Sequence, residues 1–223
     1  MMQQDERDAG AAVDLDGLGP DGRYKFLTAA VVPRPIALVV TQDRAGSPNV
    51  APFSQFIILS PTPPILGIVL GRTETGHKDS FRNIDATRRL SINTVTETMA
   101  EAVQRCALPF LPGVNEAELT GLDLIPGPML GVPLVAQSPI RFECRVQAMM
   151  AFGTSRSTLV AAEVVAAQAR PGLVSGHRVD HAMHAPLGRI AGRAYCRTSE
   201  VIHVGPEVDA PFLPLPPRVP DDS

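Results

Sequence analysis

The sequence predicts a mainly β protein with short helices, built as an antiparallel barrel. Strand-like runs follow one another across short turns in hairpin order, while helical patterns are few and brief. No strand-helix-strand alternation and no Gly-x-Gly-x-x-Gly fingerprint occurs, which disfavours a doubly wound nucleotide fold. A chain of 223 residues suffices for one sizeable core, and all-β barrels of this length commonly remain one domain.

Residues 1–20 are acidic, rich in Gly and Ala and aperiodic, and are read as a flexible arm. From Asp21, a cap candidate, Tyr24, Leu27 and Val31 recur at helical spacing and predict a short entry helix. "RPIALVVTQDRAGSPNVAPFSQFIILS" predicts two strands across Asp43-Arg44-Ala45-Gly46, with Gly46 supplying the positive φ of a bulged hairpin. The apolar run "PPILGIVLG" (63–71), bounded by Pro and Gly, predicts a buried strand. Phe81 and Ile84 at i, i+3 in residues 77–89 predict a short amphipathic helix, and 89–96 a further strand.

Residues 97–108 are helix formers with Met99, Val103 and Cys106 along one face. Repeated Pro and Gly make 109–133 a long irregular loop, of the kind that covers or serves a site. Ile140, Phe142, Cys144 and Val146 alternate with Arg141, Glu143, Arg145 and Gln147, predicting a half-buried strand. Its antiparallel partner, 157–170, follows across Gly153-Thr154-Ser155-Arg156. An irregular stretch over 171–192 precedes a last short strand near Glu200 to Val204, and residues 205–223 form a proline-rich tail. The folded domain is thus placed at 21–204.

Composition narrows the function. Hydrophobic residues make up 44% and charged residues 19%, as in ordinary globular proteins. No apolar run approaches the ~20 residues of a membrane helix, and the N-terminus lacks a basic start and apolar stretch, so a cytoplasmic protein without a membrane partner is expected. A net charge of -3 and the lack of Trp and of any basic block argue against nucleic acid. Cys106, Cys144 and Cys196 are widely spaced and have no Cys-x-x-Cys, so they read as reduced thiols.

Two segments carry chemistry. In "GRTETGHKDSFRN" a strand ends and a helix begins, so free N–H groups together with Lys78, Ser80 and Arg82 form a candidate anion cradle; the alternative is a solvated helix with an ordinary cap. Pro52 in a strand cannot donate a ladder bond and places its segment at an edge or bulge. Asn49, Ser54 and the amides from Ala51 to Phe56 could then meet the polar rim of a flat heterocycle, or the prolines only blunt an exposed edge. His177, His181 and His184 in "GHRVDHAMHAP" lie at i, i+4, i+7 and with Asp180 could hold a divalent metal; a surface loop is the preferred reading.

"PRPIALVVT", "PNVAPFSQF", "ILGIVLG", "HKDSFRNI", "LSINTV" and "PFLPGVNEAELTGL", in this order, resemble the flavin-reductase-like family with the FMN-binding split-barrel fold, of the flavoredoxin-related kind. "SPIRFECRV", "STLVAAEVV" and "PLGRIAGRAYC" extend the resemblance over about 21–204. It implies FMN held by Arg34 and by Asn49, Ala51, Pro52, Phe53, Ser54, Gln55 and Phe56, with the prolines ending regular pairing where the ring docks. The phosphate would be met by Lys78, Asp79, Ser80, Arg82 and Asn83, and by His77 as pH permits. Phe110 would be a lid, and Arg189 and Tyr195 would contact cofactor or substrate, or else be a surface Arg and a rim-packed Tyr. Hydride acceptance at flavin N5 leaves no protein nucleophile required.

The function implied is an NADH- or NADPH-dependent reductase, a homodimer, passing electrons to free flavin, a partner oxygenase or a small substrate. A non-catalytic FMN-binding electron carrier exchanging electrons with a redox partner protein is the alternative.

Overall fold

Apolar runs pair along their whole length in the computed structural model, which describes residues 10–73, 76–108, 110, 114–154 and 157–202. Helix α1 (Gly19–Ala30) leads to strands β1 (Arg34–Pro35), β2 (Ala37–Gln42), β3 (Pro48–Phe53), β4 (Phe56–Pro61) and β5 (Pro64–Leu70). A small pair, β6 (Arg72–Thr73) and β7 (Gly76–His77), precedes α2 (Asp79–Thr87) and β8 (Arg89–Thr94). A 3-10 turn (Glu97–Met99) runs into α3 (Ala100–Arg105), followed by α4 (Glu116–Thr120), β9 (Leu124–Ile125) and β10 (Leu134–Val135). The long hairpin β11 (Ile140–Phe152) and β12 (Ser157–Ala169) is succeeded by β13 (Val174–Ser175), β14 (Arg178–Val179), α5 (His181–His184), β15 (Leu187–Arg189) and β16 (Tyr195–Arg197).

Seven strands form one antiparallel sheet in the order β3-β2-β8-β11-β12-β5-β4. Its two edge strands, β3 and β4, are consecutive in the chain and separated only by Ser54 and Gln55. The sheet therefore curls until its edges meet at that corner, where Val69 N–H donates to Gln55 O at 2.9 Å.

Period-two alternation explains why β2 reads as continuously apolar. Ala37 and Val39 face an inner cluster with Phe53, Ile68, Leu70, Leu90, Ile92, Cys144 and Val160, while Leu38 and Val40 face an outer one with Met99, Val103, Cys106 and Ala117. Ile84 of α2 inserts into the inner cluster, as the i, i+3 spacing predicts. Met99, Val103 and Cys106 make the expected apolar face against the outer side of the sheet.

Several expectations are corrected. Helix α1 starts at Gly19 with Leu18 at the cap, because Pro20 is accepted in the first turn; Asp21 lies inside the helix. Its apolar stripe is not core, since Tyr24, Leu27 and Val31 are 61%, 53% and 64% exposed. Glu143, assigned to the polar face of β11, is only 1% exposed: its carboxylate accepts from Met129 N (3.0 Å) and Leu130 N (2.6 Å) of the loop folded over that face. That loop also contains α4, capped by Asn115 accepting from Ala117 N at 3.1 Å and closed by Gly121 at φ 71°. The final strand is Tyr195–Arg197; Glu200–Ile202 carry none, and the remainder of the expected strand lies outside the described residues, as do residues 1–9 of the arm, Ser155 and Arg156 of the hairpin turn, and the 205–223 tail.

Candidate functional site

Where the sheet edges meet, a cleft of about 720 Å³ opens, within the usual range for small-molecule sites. It is walled by the end of β3, the Ser54-Gln55 corner, the end of β5, the residue before α2, helix α1 and the β1-β15 pair. Of the residues singled out in the sequence, Arg34, Pro52, Phe53, Ser54, Gln55, Lys78 and Arg189 line it; Ile36 and Val69 add apolar wall. Lys25 also lines it but is paired with Asp21 at 2.7 Å.

β3 is an edge strand, in keeping with its prolines, yet Pro52 does not end pairing: the β2-β3 ladder continues through Leu38-Pro52 to Ala37-Phe53. Val50 N–H points away from β2, because it donates to Glu116 Oε2 at 3.0 Å. Alternation along an antiparallel ladder gives Pro52 the same outward position, so its missing N–H forfeits no ladder bond. The amides of Ala51 and Phe53 accordingly face β2, and Phe56 opens β4 opposite Ile68. Ser54 and Gln55, past the last β2-β3 pair, are the main-chain positions at the corner, with Gln55 O taken by Val69 N–H.

The helix start beyond β7 divides into two groups. Lys78, N-terminal cap of α2, sends Nζ to 5.8 Å from the Phe53 ring centroid, and burial holds its pKa below the usual lysine value. Phe81 N and Arg82 N donate to Lys78 O, so the preceding helix amides have no acceptor within α2. The other residues hold structure together: Asn49 Nδ2 donates to buried Ser80 Oγ (2.9 Å), Asn83 Nδ2 to Thr41 Oγ1 (3.1 Å), and Arg82 is bonded to Asp79 and His77 O. His77 stacks on Phe81 with ring centroids 3.8 Å apart. Ala51 and Phe56 pack on the inner core, and half-buried Phe110 is not among the cleft-lining residues.

Arg34 spans the cleft wall, with Nε toward Ser54 Oγ (3.4 Å) and Nη1 bonded to Thr28 O and Val31 O (2.9 Å), where a cation suits the C-terminal end of α1. Arg189 is fixed by Gln104 Oε1 (3.2 Å), Tyr195 Oη and Gly192 O, and its Cζ lies 4.5 Å from the Tyr195 ring centroid. Tyr195 donates to Gln104 Oε1 at 2.9 Å; burial pushes its phenol pKa up, keeping that proton in place. Tyr195 therefore supports the cleft from behind Arg189.

Sequence reasoning passed over Gln104 and Glu116. Gln104 stood on the polar side of an amphipathic pattern, and Glu116 within a loop given no structure. The histidines do not converge as a metal set: among the described residues no group of three or more His, Cys, Asp or Glu is so gathered. His177 lies in the β13-β14 turn, and His181 Nε2 meets Thr198 O at 2.6 Å.

Burial raises the pKa of Glu116 above the ordinary glutamate value. Its stability contribution is thus complete below the unfolded-state pKa and is lost as pH rises through the higher folded value. Glu116→Gln keeps an acceptor for Val50 N–H and removes that loss. The variant's thermal midpoint should gain on the wild type's as pH rises above about 4.3. Parallel melting curves against pH check this; a constant difference would contradict it.

A split-barrel domain protein of Shewanella frigidimarina shares this fold, with TM-score 0.78 at 20% identity, over 88% of this chain and 99% of that one. Residues 29–186 match the flavin reductase like domain, and the chain belongs to that family. It is 34% identical over 190 residues to an uncharacterized protein of Halalkalibacterium halodurans, covering 83% of this chain and 91% of the relative. Nitrilotriacetate monooxygenase component B of Bacillus cereus superposes with TM-score 0.84 at 26% identity, over 88% of this chain and all of that one. The 2-nitrobenzoate 2-nitroreductase of Pseudomonas fluorescens does so with TM-score 0.81 at 31% identity, over 91% and all. No described helix is long and apolar enough to cross a membrane.

Proposed function

We propose that the chain binds FMN in this cleft and acts as an NADH- or NADPH-dependent oxidoreductase, passing electrons to free flavin, a partner oxygenase or a small organic substrate. The observation that carries this reading is the corner at Ser54 and Gln55, where main-chain groups, the Phe53 wall and the Lys78 ammonium share one cleft. These residues fit a flavin phosphate: a dianion meets Lys78 and a helix start, while the planar ring meets apolar side chains and main-chain hydrogen-bonding groups. Hydride chemistry is what the flavin supplies when bound. Phe53, Ile36 and Val69 exclude water from one wall, Ser54 and Gln55 orient the ring's polar rim, and Lys78 holds the phosphate. The similarity to a nitroreductase and a monooxygenase component supports electron transfer to a small molecule or to a partner.

The working unit in this reading is a homodimer. Strand β4 leaves Ile57, Ile58 and Leu59 exposed on a sheet edge, Ile58 by 73%, which favours a covering second copy. Light scattering should give twice the chain mass, and a monomer would remove this part. The reading also places the folded unit at 21–204 and the protein in the cytoplasm, where three free thiols stay reduced.

The test is the flavin absorbance spectrum of FMN-loaded protein before and after anaerobic NADH, then NADPH. Bleaching by either supports the reductase and names its donor. Bound flavin that only dithionite reduces makes the protein an electron carrier, and failure to bind FMN removes the proposal.

A further inference from the structure

Arg34 and Arg189 stand directly opposite one another in the β1-β15 ladder, and both line the cleft. Like charges at directly opposite positions weaken a strand pair, so a carboxylate nearby would be the usual remedy. Among the described residues none is ion-paired to either: the ion pairs there join Arg23 to Asp16, Lys25 to Asp21, Arg82 to Asp79 and Arg197 to Glu97. Both guanidiniums are instead held by uncharged acceptors, Arg34 by Ser54 and two carbonyls, Arg189 by Gln104, Tyr195 and Gly192. These contacts fix orientation without neutralising charge. They also leave donors over: a guanidinium has five N–H groups, and among the described residues Arg34 Nη2 and Arg189 Nε have no acceptor. Two rigid forks, Arg34 balanced only by the partial charge at the end of α1 and neither by a carboxylate, face one cleft and suit a planar oxyanion.

We propose that the Arg34-Arg189 pair is the oxyanion receptor for the molecule that reacts with the flavin, binding its carboxylate or phosphoryl group and so selecting anionic reaction partners. This rests on the FMN reading above, with the cofactor phosphate at Lys78 rather than at the arginines.

Calorimetric titration of FMN-loaded protein with benzoate, phenyl phosphate and benzamide tests it, with the flavin-free protein titrated in parallel. At least one anion should bind tenfold or more tighter than benzamide: preference for benzoate identifies a carboxylate substrate, preference for phenyl phosphate a phosphorylated donor. Arg189→Gln should cut that preference below threefold, with folding read from its thermal midpoint. Should that variant not fold, Arg189→Lys carries the same expectation in weaker form, because a point charge lacks the two-pronged donor. Equal binding of benzamide and the anions, no anion binding, or a preference that survives in the variant overturns the proposal. Failure to load FMN overturns the earlier reading instead, and titration of the flavin-free protein still reports on the arginines.

Discussion

Glu143→Ala is expected to destabilise the fold by about 2–5 kcal/mol, the cost of removing a buried acceptor from two loop amides and leaving a cavity. The carboxylate is 1% exposed and accepts from the main-chain N–H groups of Met129 and Leu130. Truncation leaves both part-buried amides without this acceptor and opens a void beneath the loop. Gly127 closes the same pocket, and an added Cβ would collide with the main-chain Val132 O, which the truncation leaves in place, so no bulkier side chain at 127 can relieve the loss. Glu143→Gln keeps one oxygen but turns an NH₂ donor toward amide donors, and should fall between wild type and alanine. Denaturant midpoints for the three proteins check the order; alanine within about 0.5 kcal/mol of wild type would refute the account.

Lys78→Ala should raise the dissociation constant for FMN roughly tenfold to a hundredfold, about 1–3 kcal/mol for a lost charged hydrogen bond. Its ammonium is the cleft's cation without a hydrogen-bonded neighbour among the described residues, in contrast to Arg82, which is engaged by Asp79 and His77 O. Because burial lowers the Lys78 pKa, raising pH should weaken FMN binding before an ordinary lysine would lose its charge. Fluorescence titration of FMN against both proteins measures this, and an unchanged constant would move the phosphate elsewhere.

The strands were the most legible part of the chain because period-two patterning and turn chemistry agree locally. Asp43 to Gly46 folds as read, with Asp43 Oδ1 accepting from Ala45 N (2.9 Å) and Ser47 N (2.8 Å) and Gly46 at φ 90°. Glu143 escaped because its environment comes from a loop 13 residues away in the chain, which no window of the strand contains. Helix α4 was legible and passed over: Asn115 and Gly121 are an ordinary start and stop signal, masked by the prolines before them. The cleft was only half readable. The family resemblance implied Pro52-Phe53-Ser54-Gln55 and Lys78 in one site, but Asn49, Ser80 and Asn83 are polar residues whose partners sit on other elements, and their fastening role required the fold.

The junction of β3 and β4 has a thermodynamic meaning. Because the chain passes from one sheet edge to the other through Ser54 and Gln55, the cleft is complete only when both edges of the sheet are in place. A ligand seated there binds the native ensemble and has no partially unfolded sheet to bind, so its free energy is added to the whole seven-stranded unit. Bound ligand would then raise the unfolding midpoint of the entire sheet in one transition, while the ligand-free sheet stays folded.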